Sequence, residues 1–315
     1  MELSVSELKN VREHNAKVLA ITCGCNYVCG ALGVYIDGEF QVSKVDYVRK
    51  SEKSLDDFID RFGVGSGDEF SGKLIFGMDM SGVVFYKLKL PAVDDKQLGS
   101  MVKIQIESRL PVSSEGFEIG WRKDGLFEGM QNVTAVVCRR EKVKSFVEQV
   151  SGLEPEGLYL NCEGMGEVWK DYFGGDNRDS ILFDKAGWLY YIKDGRVYNS
   201  VSIEFNLDDI ERDHSYRETF VHDVRGGLRH FGLDEGEGIR IFVMSDGRSE
   251  FCEVSEYLSS AGLRCEVAKA RKGEFGSEIV YSCREAVGLC LYGGMEVSER
   301  FDLYSNHYKP EQKQE

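Results

Sequence analysis

"VYIDGEFQVSKV" at 34–45 and "YYIKDGRVYNSV" at 190–201 share one pattern: an apolar run, an Asp-Gly pair and a second strand-like run. Asp-Gly between such runs signals a two-residue hairpin, because both residues tolerate the positive φ that the turn demands. Each hairpin follows another short apolar run, "KVLAIT" (17–22) in the first case and "SILFD" (180–184) in the second. The chain therefore contains two three-stranded meanders, an internal repeat on the scale of a lobe. The second meander leads into a long helix from about Leu207 to Phe231, the strand "IRIFVM", the helix "EVSEYLSSAG", the strand "LRCEVA" and a last helix "YSCREAVGLCLYGG". Three strands, then helix and strand in alternation, specify a mixed sheet with helices packed on it. Two such units predict an α/β protein of two lobes, 1–175 and 176–300, with a cleft between them and a polar tail or linker at 301–315.

Length and composition agree with two lobes. The 315 residues exceed the size at which a single core keeps growing. Hydrophobic residues make up 42% and charged residues 30%, with only four prolines, so a folded chain is expected throughout. A formal charge of -15 excludes a nucleic-acid surface, which needs lysine and arginine to displace counterions. No apolar stretch approaches the roughly 20 residues of a spanning helix, and "MELSVSELKNVREHNAK" lacks the apolar centre of a signal peptide. The chain reads as cytoplasmic. Nine cysteines, an odd number without a secretion signal, read as reduced thiols, with Cys138, Cys252, Cys265 and Cys290 in core positions.

The thiol-rich stretch "CGCNYVCG" (23–30) invites a metal reading. Zinc takes four ligands, usually as pairs separated by two to four residues; Cys23 and Cys25 are too close, and no neighbouring His or Cys pair completes a set. His214, His222 and His230 recur every eight residues, which spreads them around a helix instead of onto one face. No metal site and no Ser-His-Asp or Cys-His nucleophile follows from the spacing.

Between the meanders lies an inserted segment, around 73–130. Its most distinctive part is "LPAVDDKQLGSMVKIQIESRLPVSSE" (90–115). Asp94 is placed to cap a helix with Gln97 three residues on, Leu98, Val102, Ile106 and Leu110 form one apolar stripe, and Pro111 stops it. Lys96, Lys103, Glu107 and Arg109 lie off the stripe and are the candidate partner-binding residues.

The duplicated unit resembles the actin-like (ribonuclease H-like) ATPase fold, and "KLKLPAVDDKQLGSMVKIQIESRLPVSSEGFEIGW" is similar to a segment of PilM proteins of type IV pilus assembly and of the cytoplasmic part of GspL proteins of type II secretion. "TAVVCRREKVKSFVEQVSGLEPEGL" and "REAVGLCLYGG" resemble later segments of the same families in the same order. The resemblance implies three nucleotide-binding turns, in which glycine admits backbone N–H groups to phosphate and an aspartate holds magnesium. The first turn here is Thr22-Cys23-Gly24-Cys25-Asn26, with a glycine and no carboxylate; Gly24, Cys25 and Asn26 are its candidates. The second keeps Asp184, with Gly187 displaced by one position and Trp188 where a hydroxyl residue belongs. The third offers Ser245 and Gly247, one glycine of an expected pair.

These losses point to a degenerate site. The expectation is a non-catalytic or weakly nucleotide-binding cytoplasmic scaffold, with no cofactor expected, coupling a membrane partner to the assembly ATPase of a type II secretion or type IV pilus inner-membrane platform. The partner is a bitopic inner-membrane protein of PilN kind, or a membrane segment of the chain itself beyond this sequence; a homodimer is compatible. The alternative is an active ATPase or small-molecule kinase using Asp184 with magnesium and ATP.

Overall fold

The computed structural model describes residues 17–303 except 25–26, 37–38, 51–53, 64–71, 111–113, 154, 177, 207–208, 211–212, 234–238, 246–249, 271–276, 295–300 and 302. The chain divides into two compact units, 1–161 with 289–315, and 162–288.

In the first unit β1 (Lys17–Cys23), β2 (Tyr27–Ile36) and β3 (Glu39–Arg49) form the expected antiparallel meander. β1 is apolar without alternation, from Val18 to Ile21, because both of its faces are covered, as the burial of all four residues shows. A short helix α1 (Leu55–Asp60) follows, its Ser54 hydroxyl accepting from Asp57 N at 3.1 Å. β4 (Gly72–Met78) then pairs parallel with β1, and β8 (Gly157–Leu160) parallel with β4, giving the order β3-β2-β1-β4-β8.

Between β4 and β8 the chain builds a second, three-stranded sheet from β5 (Val84–Pro91), β6 (Phe117–Phe127) and β7 (Met130–Arg139), in the order β5-β7-β6. Helix α2 (Asp95–Glu107) packs its stripe on this sheet, where Leu98, Val102 and Ile106 join Leu88, Leu90, Val133, Ala135 and Val137 in one buried cluster. Asp94 caps α2 as its position predicts, its carboxylate accepting from Gln97 N at 2.9 Å. The helix ends at Glu107, earlier than Pro111 demands, with the Ser108 N–H still bonded to Ile104 O. Helix α3 (Arg140–Val150) follows β7 directly.

β6 and β8 are not announced by the sequence pattern. Along β6, Phe117, Ile119 and Trp121 pack against the α2 cluster while Glu118, Gly120 and Arg122 on the opposite face are buried too, so the strand is covered on both faces and two of its buried side chains are charged. β8 is four residues, all buried, too short to show any period.

The second unit repeats the first sheet. β9 (Ser180–Phe183), β10 (Trp188–Lys193) and β11 (Arg196–Ser202) form an antiparallel meander, and β12 (Arg240–Ser245) and β13 (Cys265–Lys269) add in parallel, in the order β11-β10-β9-β12-β13. Counted along the chain, both sheets run third, second, first, fourth, fifth. The second hairpin turn carries Asp194 at φ 51° and Gly195 at φ 73°, the conformation that its Asp-Gly pair predicts. Its counterpart Asp37-Gly38 lies outside the described residues.

Helix α4 (Met165–Tyr172) belongs to this second unit, so the division falls before 162 and not at 175–176. The reason is a close approach to the hairpin turn: a Cβ on Gly166 would lie 1.9 Å from the Gly195 carbonyl oxygen. Helix α5 (His214–His230) is shorter than the span from Leu207 predicts, because Asp213 caps it, accepting from Ser215 N at 2.8 Å. After α6 (Glu250–Ser260), the predicted last helix is two helices, α7 (Ser277–Ser282) and α8 (Arg284–Gly293), and the division between units falls inside α8. Cys138 and Cys290 are buried as expected, whereas Cys252 and Cys265 are half-buried.

One ion pair makes the first unit sensitive to acid. Lys142 of α3 donates to Asp79 Oδ1 at 2.8 Å and to the carbonyl oxygens of Asp79 and Ser81 at 2.9 and 2.7 Å, closing the loop after β4. Burial alone would raise the Asp79 pKa, but the hydrogen bonds from Lys142 and Ser81 outweigh it and hold the carboxyl below its ordinary value. A carboxyl depressed by folding stabilises the protein above its unfolded pKa and loses that contribution as pH falls through the folded value. Lys142→Met is therefore expected to flatten the loss of stability below about pH 4. The difference, read from urea midpoints on either side of that pH, is expected to stay below about 1 kcal/mol, because the pair is partly exposed.

Candidate functional site

The predicted first turn joins β1 to β2. Thr22 is buried, Cys23 half-buried, and the Gly24 N–H donates to Tyr27 O at 3.0 Å, so it points into the hairpin and not toward a ligand. A Cβ on Gly24 would meet nothing closer than Tyr27 O at 3.5 Å, an ordinary contact, so local packing does not require glycine here. Burial pushes the Cys23 thiol up to about 11, which keeps it protonated near neutral pH. Cys25 and Asn26 lie outside the described residues. Among the described residues no three His, Cys, Asp or Glu side chains come together as a metal site.

The second turn joins β9 to β10, and its local structure accounts for both of its candidate residues. Asp184 is fully buried; its backbone N–H donates to Trp188 O, and its carbonyl accepts from Gly187 N at 3.0 Å. Gly187 adopts φ 79°, and a Cβ there would lie 2.4 Å from Ile203 O, so only glycine closes the turn. Asp184 Oδ1 accepts from Ala186 N at 2.9 Å and Trp188 N at 3.1 Å. Lys185 N donates to Tyr281 Oη at 3.2 Å. Every backbone N–H from 185 to 188 is thus spent inside the protein.

The other carboxylate oxygen, Oδ2, accepts from Tyr190 Oη at 3.0 Å and from Arg284 Nη2 in the first turn of α8. Burial and the Asp184 charge together hold the Tyr190 phenol well above its ordinary pKa, so it acts as a donor. Arg284 was not among the sequence candidates. A signal for it exists: an arginine in the first turn of a helix that is apolar after Glu285 opposes the helix dipole, and such a charge calls for a partner.

The third turn follows β12. Ser245 is buried at the strand end, with its carbonyl accepting from Ala270 N at 3.3 Å; Gly247 lies outside the described residues. The partner candidates divide. Lys96, Lys103 and Glu107 share one outer stripe of α2, with Lys103 and Glu107 paired at 3.9 Å, and Ile104 stands beside them 63% exposed. Arg109 is exposed but falls beyond the helix end.

No protein-family profile and no curated protein matches the sequence significantly. The solved "PilM-PilN type IV pilus biogenesis complex" contains a chain similar to this one with a TM-score of 0.64, at 13% identity, over 89% of this chain and 99% of that one. The fold is actin-like. The twice-repeated strand order is the actin-like core, and the sheet β5-β7-β6 with α2 is an insertion into its first half. Two further neighbours are more distant. The cytoplasmic domain of EpsL, an inner-membrane component of the type II secretion system of Vibrio cholerae, shows 9% identity and a TM-score of 0.49 over 93% of this chain and 100% of that one. A Bacteroides thetaiotaomicron protein with an actin-like ATPase fold shows 10% and 0.45 over 90% and 100%. No helix among the described residues is long and apolar enough to cross a membrane.

Proposed function

We propose that this chain is a non-catalytic scaffold of a type IV pilus or type II secretion platform at the inner membrane, holding a single-span membrane partner and coupling it to the assembly ATPase. The observation that carries the non-catalytic part is the second turn. A phosphate-binding loop works through backbone N–H groups free to meet the anion, and the described ones at 185–188 are all bonded within the chain. Magnesium fits no better. It needs about six oxygens in a tight octahedron and keeps several waters, whereas Asp184 is buried and neutralised by Arg284. The ATPase or kinase alternative would have to dismantle this network before binding its first ligand.

The partner part is supported by the fold shared with a chain of a PilM–PilN complex. The outer stripe of α2 carries Lys96, Lys103 and the half-buried Glu107, with the exposed Ile104 beside it, so charge and an apolar contact lie side by side, an arrangement suited to a short peptide. Calorimetric titration of the chain with the cytoplasmic N-terminal peptide of its single-span membrane partner is expected to give micromolar binding, which Ile104→Asp weakens about tenfold or more without moving the melting temperature. Magnesium-ATP is expected to give no heat. Failure of every membrane-proximal peptide to bind, together with intact piliation or secretion after deletion, would remove the scaffold reading. Tight magnesium-ATP binding lost in Asp184→Ala would establish the alternative.

A further inference from the structure

The groups around Asp184 form a cation site already filled by the chain itself. Arg284 Nη2 donates to Asp184 Oδ2, and Nη1 donates to Tyr281 O at 2.9 Å. The guanidinium carbon lies 5.1 Å from the centre of the Tyr281 ring. The guanidinium meets a carboxylate oxygen, a carbonyl oxygen and an aromatic face, with Tyr190 and Glu285 adding to the field around it, which matches a planar, weakly hydrated fork and not a hydrated sphere. Asp184 and Arg284 are both buried, and burial penalises either charge alone. Asp184 Oδ1 gathers the Ala186 and Trp188 N–H groups of the turn, which leaves Oδ2 to face the guanidinium.

We propose that Arg284 is a built-in counter-ion for this turn. It supplies the positive charge that the loop would otherwise draw from a ligand, so the loop is assembled before anything binds, and removing the side chain opens a site selective for guanidinium-type cations. The inference rests on the non-catalytic reading only in that Asp184 holds no metal.

The test is chemical rescue in the full chain. Arg284→Ala is expected to lower the melting temperature by about 5 °C or more, as loss of a buried charge partner does in a chain of this size. Millimolar guanidinium chloride, far below denaturing concentrations, is expected to recover about half of that loss in a saturable way, as a ligand specific to the folded state does. Equal sodium chloride and magnesium-ATP are expected to recover none of it, and guanidinium is expected not to stabilise the wild type. No recovery in a folded Arg284→Ala chain, or equal recovery in both salts, overturns the proposal. If the variant is isolated unfolded, refolding yield becomes the measurement. Guanidinium should then raise it about threefold over sodium chloride, and equal yields overturn the proposal. A chain that binds its partner peptide without rescue loses this inference alone, whereas one that binds magnesium-ATP through Asp184 loses both readings.

Discussion

Asp184→Asn is expected to destabilise the protein by about 3–5 kcal/mol, the usual cost of leaving one member of a buried ion pair without its partner. The substitution is nearly isosteric and separates charge from shape. An asparagine oxygen can still accept from Ala186 N and Trp188 N, so the turn keeps its hydrogen bonds. The other oxygen, which accepts from Tyr190 and Arg284, becomes an amide that can only donate, and the Arg284 guanidinium faces it buried and uncompensated. Equilibrium urea unfolding of the second unit's transition measures the loss. Adding Arg284→Met should return most of it, because it removes the buried cation that the first change leaves without a partner. With each single change leaving one buried charge unpaired, the cycle is therefore expected to show a coupling of about 4 kcal/mol or more. A single-variant loss below about 1 kcal/mol would mean that the pair behaves as a solvated surface bridge, and the account of the turn would fail.

The duplicated sheet was legible because its signals are local. Asp194 and Gly195 fix a turn within two residues, and the apolar runs at 18–21 and 181–183 need no partner to be recognised as buried strands. The helix stripe of Leu98, Val102 and Ile106 was legible for the same reason. What stayed hidden depends on contacts distant in sequence. Asp184 stood out as an acid at a strand end, but its meaning is set by Arg284, one hundred residues later, which turns a candidate metal ligand into half of an internal ion pair. β6 was hidden because the charged Glu118 and Arg122 interrupt its apolar residues, and their burial on the face away from α2 is a signal only once its cover is known. Part of that cover comes from the segment that composition marks as a polar tail.

That segment carries the other large effect. Phe301 and Leu303 are buried, so the chain from 301 does not begin as a solvated linker. The Leu303 N–H donates to Leu158 O on β8 at 2.8 Å, while Phe301 lies across the inserted sheet, with its ring 6.3 Å from that of Phe85 and 4.5 Å from the Arg122 guanidinium carbon. A Cβ on Gly120 would come within 3.0 Å of Leu303 and 3.6 Å of Phe301, so the strand keeps room for the segment. The two residues thereby tie the sheet β3-β2-β1-β4-β8 to the sheet β5-β7-β6. Phe301→Ala is expected to cost about 3–5 kcal/mol, from the lost aromatic burial and the cavity left behind. Part of the cost falls on Arg122, whose charge is held beneath the ring and against Asp124 Oδ1 at 3.2 Å, and a buried cation–π contact is worth about 2 kcal/mol. Phe301→Leu keeps volume and loses the ring face, so it isolates that part and should cost about 2 kcal/mol. Urea unfolding of both variants tests the tie, and hydrogen exchange locates it, with the amides of β6 and β8 predicted to lose protection together. A Phe301→Ala chain within about 0.5 kcal/mol of wild type, the range of ordinary surface changes, would show that the inserted sheet is held by other contacts.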